Sequence, residues 1–216
     1  MPHSDTNRRL IGFDLSIESD RDVPGALPDR AVGGSAPDLR IVTLAPLASS
    51  EPPSPLYRWA HDTLTFSAPG VGRYICRRDA IHVAAADGAD PEMVTALLIA
   101  TALPAVMWLR DAAMLHAAGI VAPSGGFTLA LAGPSGVGKS ALTAELLGVG
   151  GTLLADDSIG LRRDSDRVAG SGLPGGYHLG DGGARTFHPV PKMMRNATIG
   201  AVLVLARTDG APTLSG

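Results

Sequence analysis

An eight-residue phosphate-loop motif constrains the fold of this 216-residue chain more than any other feature of its sequence. The motif has the form GxxxxGKS and reads Gly133, Pro134, Ser135, Gly136, Val137, Gly138, Lys139 and Ser140. The apolar run 127–132 before it predicts a short buried strand, and residues 139–147 after it have the apolar spacing of a helix. A glycine-rich loop between a strand and a helix is typical of proteins that bind a nucleotide phosphate.

The residue types of the loop suit the binding of a triphosphate. Glycines let successive backbone N–H groups surround an anion without a Cβ atom in the way, and the helix N-terminus adds a partial positive charge. Lys139 is expected to contact the β- and γ-phosphates, and the Ser140 hydroxyl is expected to bind Mg²⁺. The loop therefore predicts a triphosphate nucleotide and Mg²⁺ as ligands.

An acidic pair, Asp156 and Asp157, directly follows the next predicted strand at 152–155. A right-handed crossover would bring the carboxyl ends of this strand and the loop strand to one edge of the sheet, with the acidic pair beside the loop. Phosphoryl transfer to a hydroxyl often uses such a carboxylate. We predict Asp157 as the base and Asp156 as a Mg²⁺ ligand, directly or through water. The alternative is that the pair only opens a turn, where aspartate is common.

A histidine, His116, lies on a predicted strand at 114–121. The turn residues 123–126 connect this strand to the loop strand, and the two runs predict a hairpin. The spacing alone leaves both a structural and a catalytic role open for His116.

Composition and charge exclude several classes of partner. The net charge of −3 and the pI near 6.0 do not provide the basic field of a nucleic-acid binder. The single cysteine, Cys76, cannot form an internal disulfide, and residues 1–9 are polar, unlike a signal segment, so we predict a cytoplasmic protein. The apolar run 93–109 contains Pro104 and predicts a buried helix, kinked or ended near the proline, with no membrane partner.

The chain length is enough for one main α/β core. We predict a loosely ordered segment with one or two strands at 1–55, a small β-rich subdomain at 56–90 and a P-loop kinase-like catalytic domain at 91–216. The proline-rich run 51–55 predicts the first boundary.

Further strands are predicted on both sides of the loop. Short runs rich in β-branched or aromatic residues predict a small meander at 63–66, 73–76 and 80–83. The segment 158–191 is polar and glycine-rich, and the run 198–205 predicts a further buried strand.

The order of these motifs resembles the catalytic domain of HPr kinase/phosphorylase over about residues 73–207. The resemblance depends on Leu115 to Val121 (LHAAGIV), on the GPSGVGKS loop, and on Leu153 to Asp157 (LLADD). It implies a P-loop, PEP-carboxykinase-like fold that uses ATP and Mg²⁺. It also implies that His116 and Lys139 belong to the active site, that Ser140 binds Mg²⁺, and that Asp157 exchanges a proton with a substrate serine.

The sequence also departs from that family. The family's second Mg²⁺ ligand, a glutamate in an E-x-R-G segment, has no match, and Asp181 is the nearest acid. The loop tied to phosphorolysis is missing, and the N-terminal portion is too short for the regulatory domain of the full-length enzymes. The chain is more similar to short HPr-kinase-related proteins, including those that phosphorylate a lasso-peptide precursor, which share the R-Y-x-x-R order found at Arg73 to Arg77.

The leading hypothesis is an ATP-dependent serine kinase whose partner is a peptide or small protein with an acceptor serine. One alternative is a bifunctional HPr kinase/phosphorylase, and another is a nucleotide-binding switch that transfers no phosphate. The identity of the substrate and the oligomeric state, a homo-oligomer included, stay open.

Overall fold

The protein has a mixed α/β fold, as predicted, in a computed structural model that describes residues 7–30, 35–47, 57–181 and 184–206. The side chains of residues 181–185 lie outside the described part. Two large sheets and one two-stranded hairpin are present in the described part of the chain.

The first sheet has eight strands in the order β3-β1-β2-β4-β8-β7-β6-β5. Their bounds are β1 Arg8–Gly12, β2 Leu15–Ser19, β3 Leu27–Pro28, β4 Leu39–Thr43, β5 Tyr57–Ala60, β6 Thr63–Ala68, β7 Gly72–Cys76 and β8 Ala80–Ala85. Strands β5 to β8 pair in sequence as antiparallel neighbours, which confirms the predicted meander.

The first 55 residues contribute more to this sheet than the sequence indicated. The described residues of this segment form four strands, where we expected one or two. Strand β4 pairs in parallel with both β2 and β8, so the sheet continues across the predicted boundary, whose residues 51–55 lie outside the described part. Strand β1 (RRLIG) lacks alternation of apolar and polar residues and β3 has only two residues, so neither has a local strand pattern, and pairing within the sheet stabilises both.

One long helical segment covers the first sheet and contacts the second. It consists of α1 (Pro91–Leu97), a π-helical turn (Leu98–Ala102) and α2 (Leu103–Leu109). By length and composition it is apolar enough to cross a membrane. Its buried side chains belong to the main hydrophobic core, together with those of the first sheet.

An aspartate, Asp90, caps the start of this helical segment, which continues past Pro104. The Asp90 carboxylate accepts a hydrogen bond from the backbone N–H of Glu92, at 2.9 Å. Pro104 was expected to kink or end the helix. The helix does not end there and continues past the proline. A π-helical turn lies directly before α2, where the proline's missing N–H and its ring disturb regular α-helical bonding.

The second sheet has seven strands, six of them in the order β16-β13-β12-β9-β10-β17, with β11 paired to β9. The elements after α2 are β9 Ala113–Val121, β10 Thr128–Ala132, α3 Lys139–Gly148, β11 Thr152–Ala155, β12 Ser158–Asp164, β13 Arg167–Ser171, β14 Gly176–Asp181, β15 Ala184–Pro189, β16 Asn196–Thr198 and β17 Ala201–Val204. Strands β14 and β15 form the separate hairpin. Together with β12 and β13, they give four strands in the described part of the polar segment 158–191.

Strand β9 separates the two strands that carry the predicted site. It pairs with β10 along one side, as the predicted hairpin, and with β11 and then β12 along the other, all antiparallel to it. Strands β10 and β11 are therefore parallel, with α3 as their crossover. Their carboxyl ends meet at one edge of the sheet, where the phosphate loop and the acidic pair begin.

The last described strand is not buried, contrary to the prediction for 198–205. Strand β17 pairs in parallel with β10 at the end of the strand order. The side chains of Val202 and Val204 are 50% and 71% exposed. An apolar run alone could not distinguish a central strand from this edge position, because both have the same local composition.

The burial of Cys76 in the first sheet predicts an unreactive thiol. Its side chain is fully buried, and this burial raises the pKa of the Cys76 thiol to about 12. Iodoacetamide at pH 8 is expected to leave the native protein unlabelled and to alkylate it fully in urea, as measured by mass spectrometry. Rapid native labelling would contradict the described packing, and Cys76→Ser is the control for labelling of other residues.

Candidate phosphate-binding site

The backbone of the phosphate loop has the left-handed conformations that glycine allows. The φ angles are +146° at Gly133, +75° at Gly136 and +106° at Gly138. Helix α3 begins at Lys139, directly after Gly138, which has no side chain to cap the helix. The first N–H groups of α3 therefore remain for a ligand, and their position suits an anion.

The side chain of Lys139 folds back onto the loop that precedes it. Only 8% of the residue is exposed. Its Nζ atom donates to the carbonyl oxygens of Gly133, at 2.7 Å, and of Pro134, at 3.2 Å, and lies 3.3 Å from Nε2 of His116. These three contacts account for the three N–H donors of the ammonium group. A charge that is this deeply buried needs such partners.

His116 connects Lys139 to the acidic pair. The ammonium can only donate, so Nε2 of His116 accepts from Lys139, and Nδ1 is then the ring nitrogen that carries the proton. Nδ1 lies 3.5 Å from Oδ2 of Asp157. The side chains of His116 and Asp157 are 55% and 37% exposed, so both are accessible to a substrate.

The strand pairing around β9 fixes this arrangement. His116 lies opposite Ser158 in the β9–β12 register, and the N–H of Ala117 donates to the carbonyl of Asp157 at 3.0 Å. Strand β10, which pairs with β9 on its other side, ends directly before the phosphate loop. Three residues that are distant in sequence, Lys139, His116 and Asp157, therefore form one continuous polar chain.

Asp156 is held by His178, a residue that the sequence did not indicate. Its side chain is 10% exposed, and Oδ2 accepts from the backbone N–H of His178 at 2.8 Å and lies 3.0 Å from the Nδ1 atom of the same histidine. His178 lies on β14, which packs against α3 and β11. No motif marks His178, because it lies in a glycine-rich segment 22 residues after its partner.

The free oxygen of Asp156 fits a Mg²⁺ ligand. Oδ1 is buried and has no hydrogen-bond partner in the described part of the chain. Ser140, the other predicted ligand, lies half-buried in the first turn of α3. The described residues contain no group of three or more His, Cys, Asp or Glu side chains that could hold a metal. Mg²⁺ in nucleotide sites commonly takes one or two protein ligands together with phosphates and water, so the two residues suit that mode.

The other predicted residues of the loop lie between β10 and α3. Pro134, Ser135 and Gly136 form the exposed turn of the loop, and Val137 is half-buried next to them. Asp181, the nearest acid to a missing second metal ligand, ends β14, but its side chain is outside the described part. Its proposed role stays a prediction.

Comparison with known proteins finds only distant likeness to solved structures. No family model matches the chain, and the search of curated proteins finds no significant match. Among solved structures, the chain is similar to the Hpr(Ser) kinase/phosphatase from Coxiella burnetii, with a TM-score of 0.40 and 21% identity. That match covers 48% of this chain and 66% of the other, slightly less than two thirds of its length.

The conformation of Gly133 predicts that a side chain at this position disturbs the loop. A Cβ atom there would lie 2.7 Å from the carbonyl oxygen of Leu205 and 3.0 Å from Cγ1 of Val137, at a φ of +146°. Gly133→Ala is expected to lower the free energy of unfolding by about 1–3 kcal/mol in urea titrations. Gly126→Ala is the matched control, because a Cβ atom there meets nothing within 4 Å. Equal stability of the two variants would refute the described close approach.

Proposed function

We propose that this protein is an ATP-dependent kinase that transfers the γ-phosphoryl group to a serine hydroxyl of a peptide or small protein. The observation that carries the proposal is the polar chain from Asp157 through His116 to Lys139. It joins a partly exposed carboxylate to the lysine of a phosphate loop. A site that only binds a nucleotide needs the loop and its lysine, whereas a site that activates a hydroxyl also needs a base.

The phosphate loop and Lys139 bind and orient the triphosphate in this proposal. The N–H groups at the start of α3 point at the anion, and the glycine conformations keep Cβ atoms out of the cradle. The ammonium of Lys139, already held at the loop, exchanges carbonyl contacts for phosphate oxygens. Positioning and charge stabilisation of this kind supply most of the catalysis in phosphoryl transfer.

Asp157 acts as the base. Its carboxylate takes the proton of the serine hydroxyl as the serine oxygen bonds to the γ-phosphorus, and the bond from that phosphorus to the β-γ bridging oxygen breaks to release ADP. His116 holds the carboxylate through Nδ1 while its Nε2 is engaged by Lys139. The histidine thereby orients the base relative to the bound phosphate.

Mg²⁺ would be held by Ser140 and by the free Oδ1 atom of Asp156. The ion would neutralise phosphate charge when bound. His178 fixes the carboxylate of Asp156 through Oδ2, so that Oδ1 keeps its direction.

The motif order supports the narrower assignment to the short HPr-kinase-related serine kinases. The spacing from the loop to LLADD has no gap relative to that family, and LHA precedes the loop. Lasso-peptide precursors are one substrate class that this resemblance implies. We include them as a proposal about the natural acceptor.

Replacing the base tests the proposed reaction. Asp157→Asn keeps the size of the side chain but removes its basicity, and should lower phosphoryl transfer by about a hundredfold or more. Transfer of label from γ-labelled ATP to serine-containing peptides measures the rate, and binding of a fluorescent ATP analogue measures nucleotide affinity. The affinity should change little, because Asp157 contacts His116 and not the phosphate loop directly.

The controls separate three outcomes. Asp164→Asn is the matched control, because Asp164 is an exposed aspartate at the end of β12, and it should transfer phosphate at the native rate. Native turnover by Asp157→Asn would exclude Asp157 as the base. ATP binding without transfer or hydrolysis by the native protein would instead indicate a nucleotide-binding switch, and reversal by inorganic phosphate would indicate a bifunctional enzyme.

Loss of His178 should weaken the use of Mg²⁺. His178→Ala removes the ring contact at 3.0 Å but leaves the backbone N–H bond to Asp156, so the carboxylate becomes less well oriented. The Mg²⁺ concentration for half-maximal transfer should rise by about tenfold or more. His188→Ala is the control, because His188 lies on the same hairpin and stacks on Tyr177 instead. Equal Mg²⁺ requirements for both variants would remove the positioning role.

A further inference from the structure

Two neighbouring cavities form a groove where the first sheet, α2 and β9 meet. Their volumes are about 520 and 720 Å³, and Arg78, Asp111 and Ala113 line both. Because they share these residues, the two cavities form one continuous surface, which we call the arginine groove. Trp59 and Trp108 line one end of the groove, and Arg162 and Arg163 line the other.

The groove concentrates positive charge on a chain whose net charge is −3. Four arginines, Arg78, Arg110, Arg162 and Arg163, line it, against two aspartates, Asp62 and Asp111. The exposed carboxylates of the turn after β12 do not line either cavity. Asp111 and Asp38 pair with Arg78 and Arg110, so the local excess of cations in the groove comes from Arg162 and Arg163.

The arginines divide into a fixed pair and an exposed pair. Arg78 donates to the carbonyl of Leu109 and pairs with Asp111 at 2.9 Å. Arg110 donates to the carbonyl of Arg78 at 2.8 Å and pairs with Asp38 at 3.9 Å. Arg162 and Arg163 are exposed on β12. The Nε atom of Arg163 donates to the carbonyl of Ser165 at 3.1 Å, and neither arginine forms an ion pair with a described residue. These two guanidinium groups can bind a carboxylate without first breaking a salt bridge.

The other end of the groove exposes two tryptophans. The side chains of Trp59 and Trp108 are in edge-to-face contact, with ring centroids 4.9 Å apart, and are 49% and 57% exposed. Exposed tryptophan next to arginine is the composition found at the centre of protein-recognition surfaces. The tryptophans add apolar contact area next to the charged part of the groove.

The β9–β12 ladder connects the groove to the candidate site. Ala113, in the groove, lies opposite Leu161, and His116, in the site, lies opposite Ser158. Ala113 and His116 are three residues apart on β9 and so lie on opposite faces of the sheet. Arg162, in the groove, lies on the same face of β12 as Ser158, four residues further along the strand, a distance of about 13 Å at the rise of a strand. An extended peptide with its serine at Asp157 would reach the arginines with residues about three to six positions from that serine.

We propose that the arginine groove binds an acidic segment of the peptide substrate, a few residues from the serine that receives the phosphate. This inference rests on the proposed kinase function for the identity of the ligand. The charge excess, the two exposed guanidinium groups and the distance to Asp157 select an acidic peptide chain as the occupant.

Binding and transfer are measured separately to test it. The probe is a fluorescein-labelled peptide with one serine and glutamates about three to six positions away on each side, a spacing set by the rise of an extended chain. Its analogue carries glutamine in place of each glutamate. Fluorescence anisotropy without nucleotide should show that the native protein binds the glutamate peptide more tightly, and that added salt weakens this binding.

A charge-reversed double variant locates the binding surface. Arg162→Glu with Arg163→Glu should raise the Kd of the glutamate peptide by about tenfold or more, because two cation contacts become repulsive. The control, Arg30→Glu with Arg167→Glu, makes the same change in net charge at two exposed arginines that do not line the groove, and should bind like the native protein. Thermal unfolding of each variant checks that it is folded.

Several results would overturn the inference. These are equal binding of the glutamate and glutamine peptides, equal Kd values for the two double variants, or tighter binding of a single-stranded oligonucleotide that the groove variant loses. Groove-dependent peptide binding without phosphate transfer to any peptide would contradict the proposed kinase and leave the groove supported. Phosphate transfer without a preference for the glutamate peptide would support the proposed kinase and contradict the role of the groove.

Discussion

The pairing of β9 with three other strands is the interaction on which the rest of the site depends. Strands β10, β11 and β12 all pair with it, so the phosphate loop and the acidic pair take their positions from one strand. Small residues make this possible. A Cβ atom on Gly119 would lie 3.1 Å from Leu154 and 3.2 Å from Ile159, so the close fit of these residues to β9 needs glycine there for space.

The sequence predicted the parts of the site that depend on local pattern. The loop, its helix, the hairpin before it and the acidic pair after the next strand are all readable from short motifs, and a crossover rule places them at one edge. It did not predict that β9 would lie between β10 and β11, or that 158–191 would form four strands. Those strands, such as RVAGS in β13, have too little apolar alternation to be distinguished from loops.

His178 and the arginine groove show the same limit at the level of side chains. His178 meets Asp156 only because the β14–β15 hairpin folds over α3. The arginines of the groove come from the turn between β7 and β8, from the residue after α2 and from β12, which no sequence window contains together. Local periodicity cannot reveal contacts that depend on how separate elements pack.

The burial of Lys139 has a consequence for how the site meets a phosphate. Its charge is already compensated by two carbonyl oxygens of its own loop and by the imidazole of His116, so the loop is held in shape before any anion arrives. An arriving phosphate then replaces neutral partners with charged ones, which strengthens electrostatic contact in a partly buried site. The carboxylate of Asp157 lies on the other side of the His116 imidazole and is 37% exposed. In the reaction that we propose, this arrangement would keep the base accessible to the acceptor while the loop binds the phosphate.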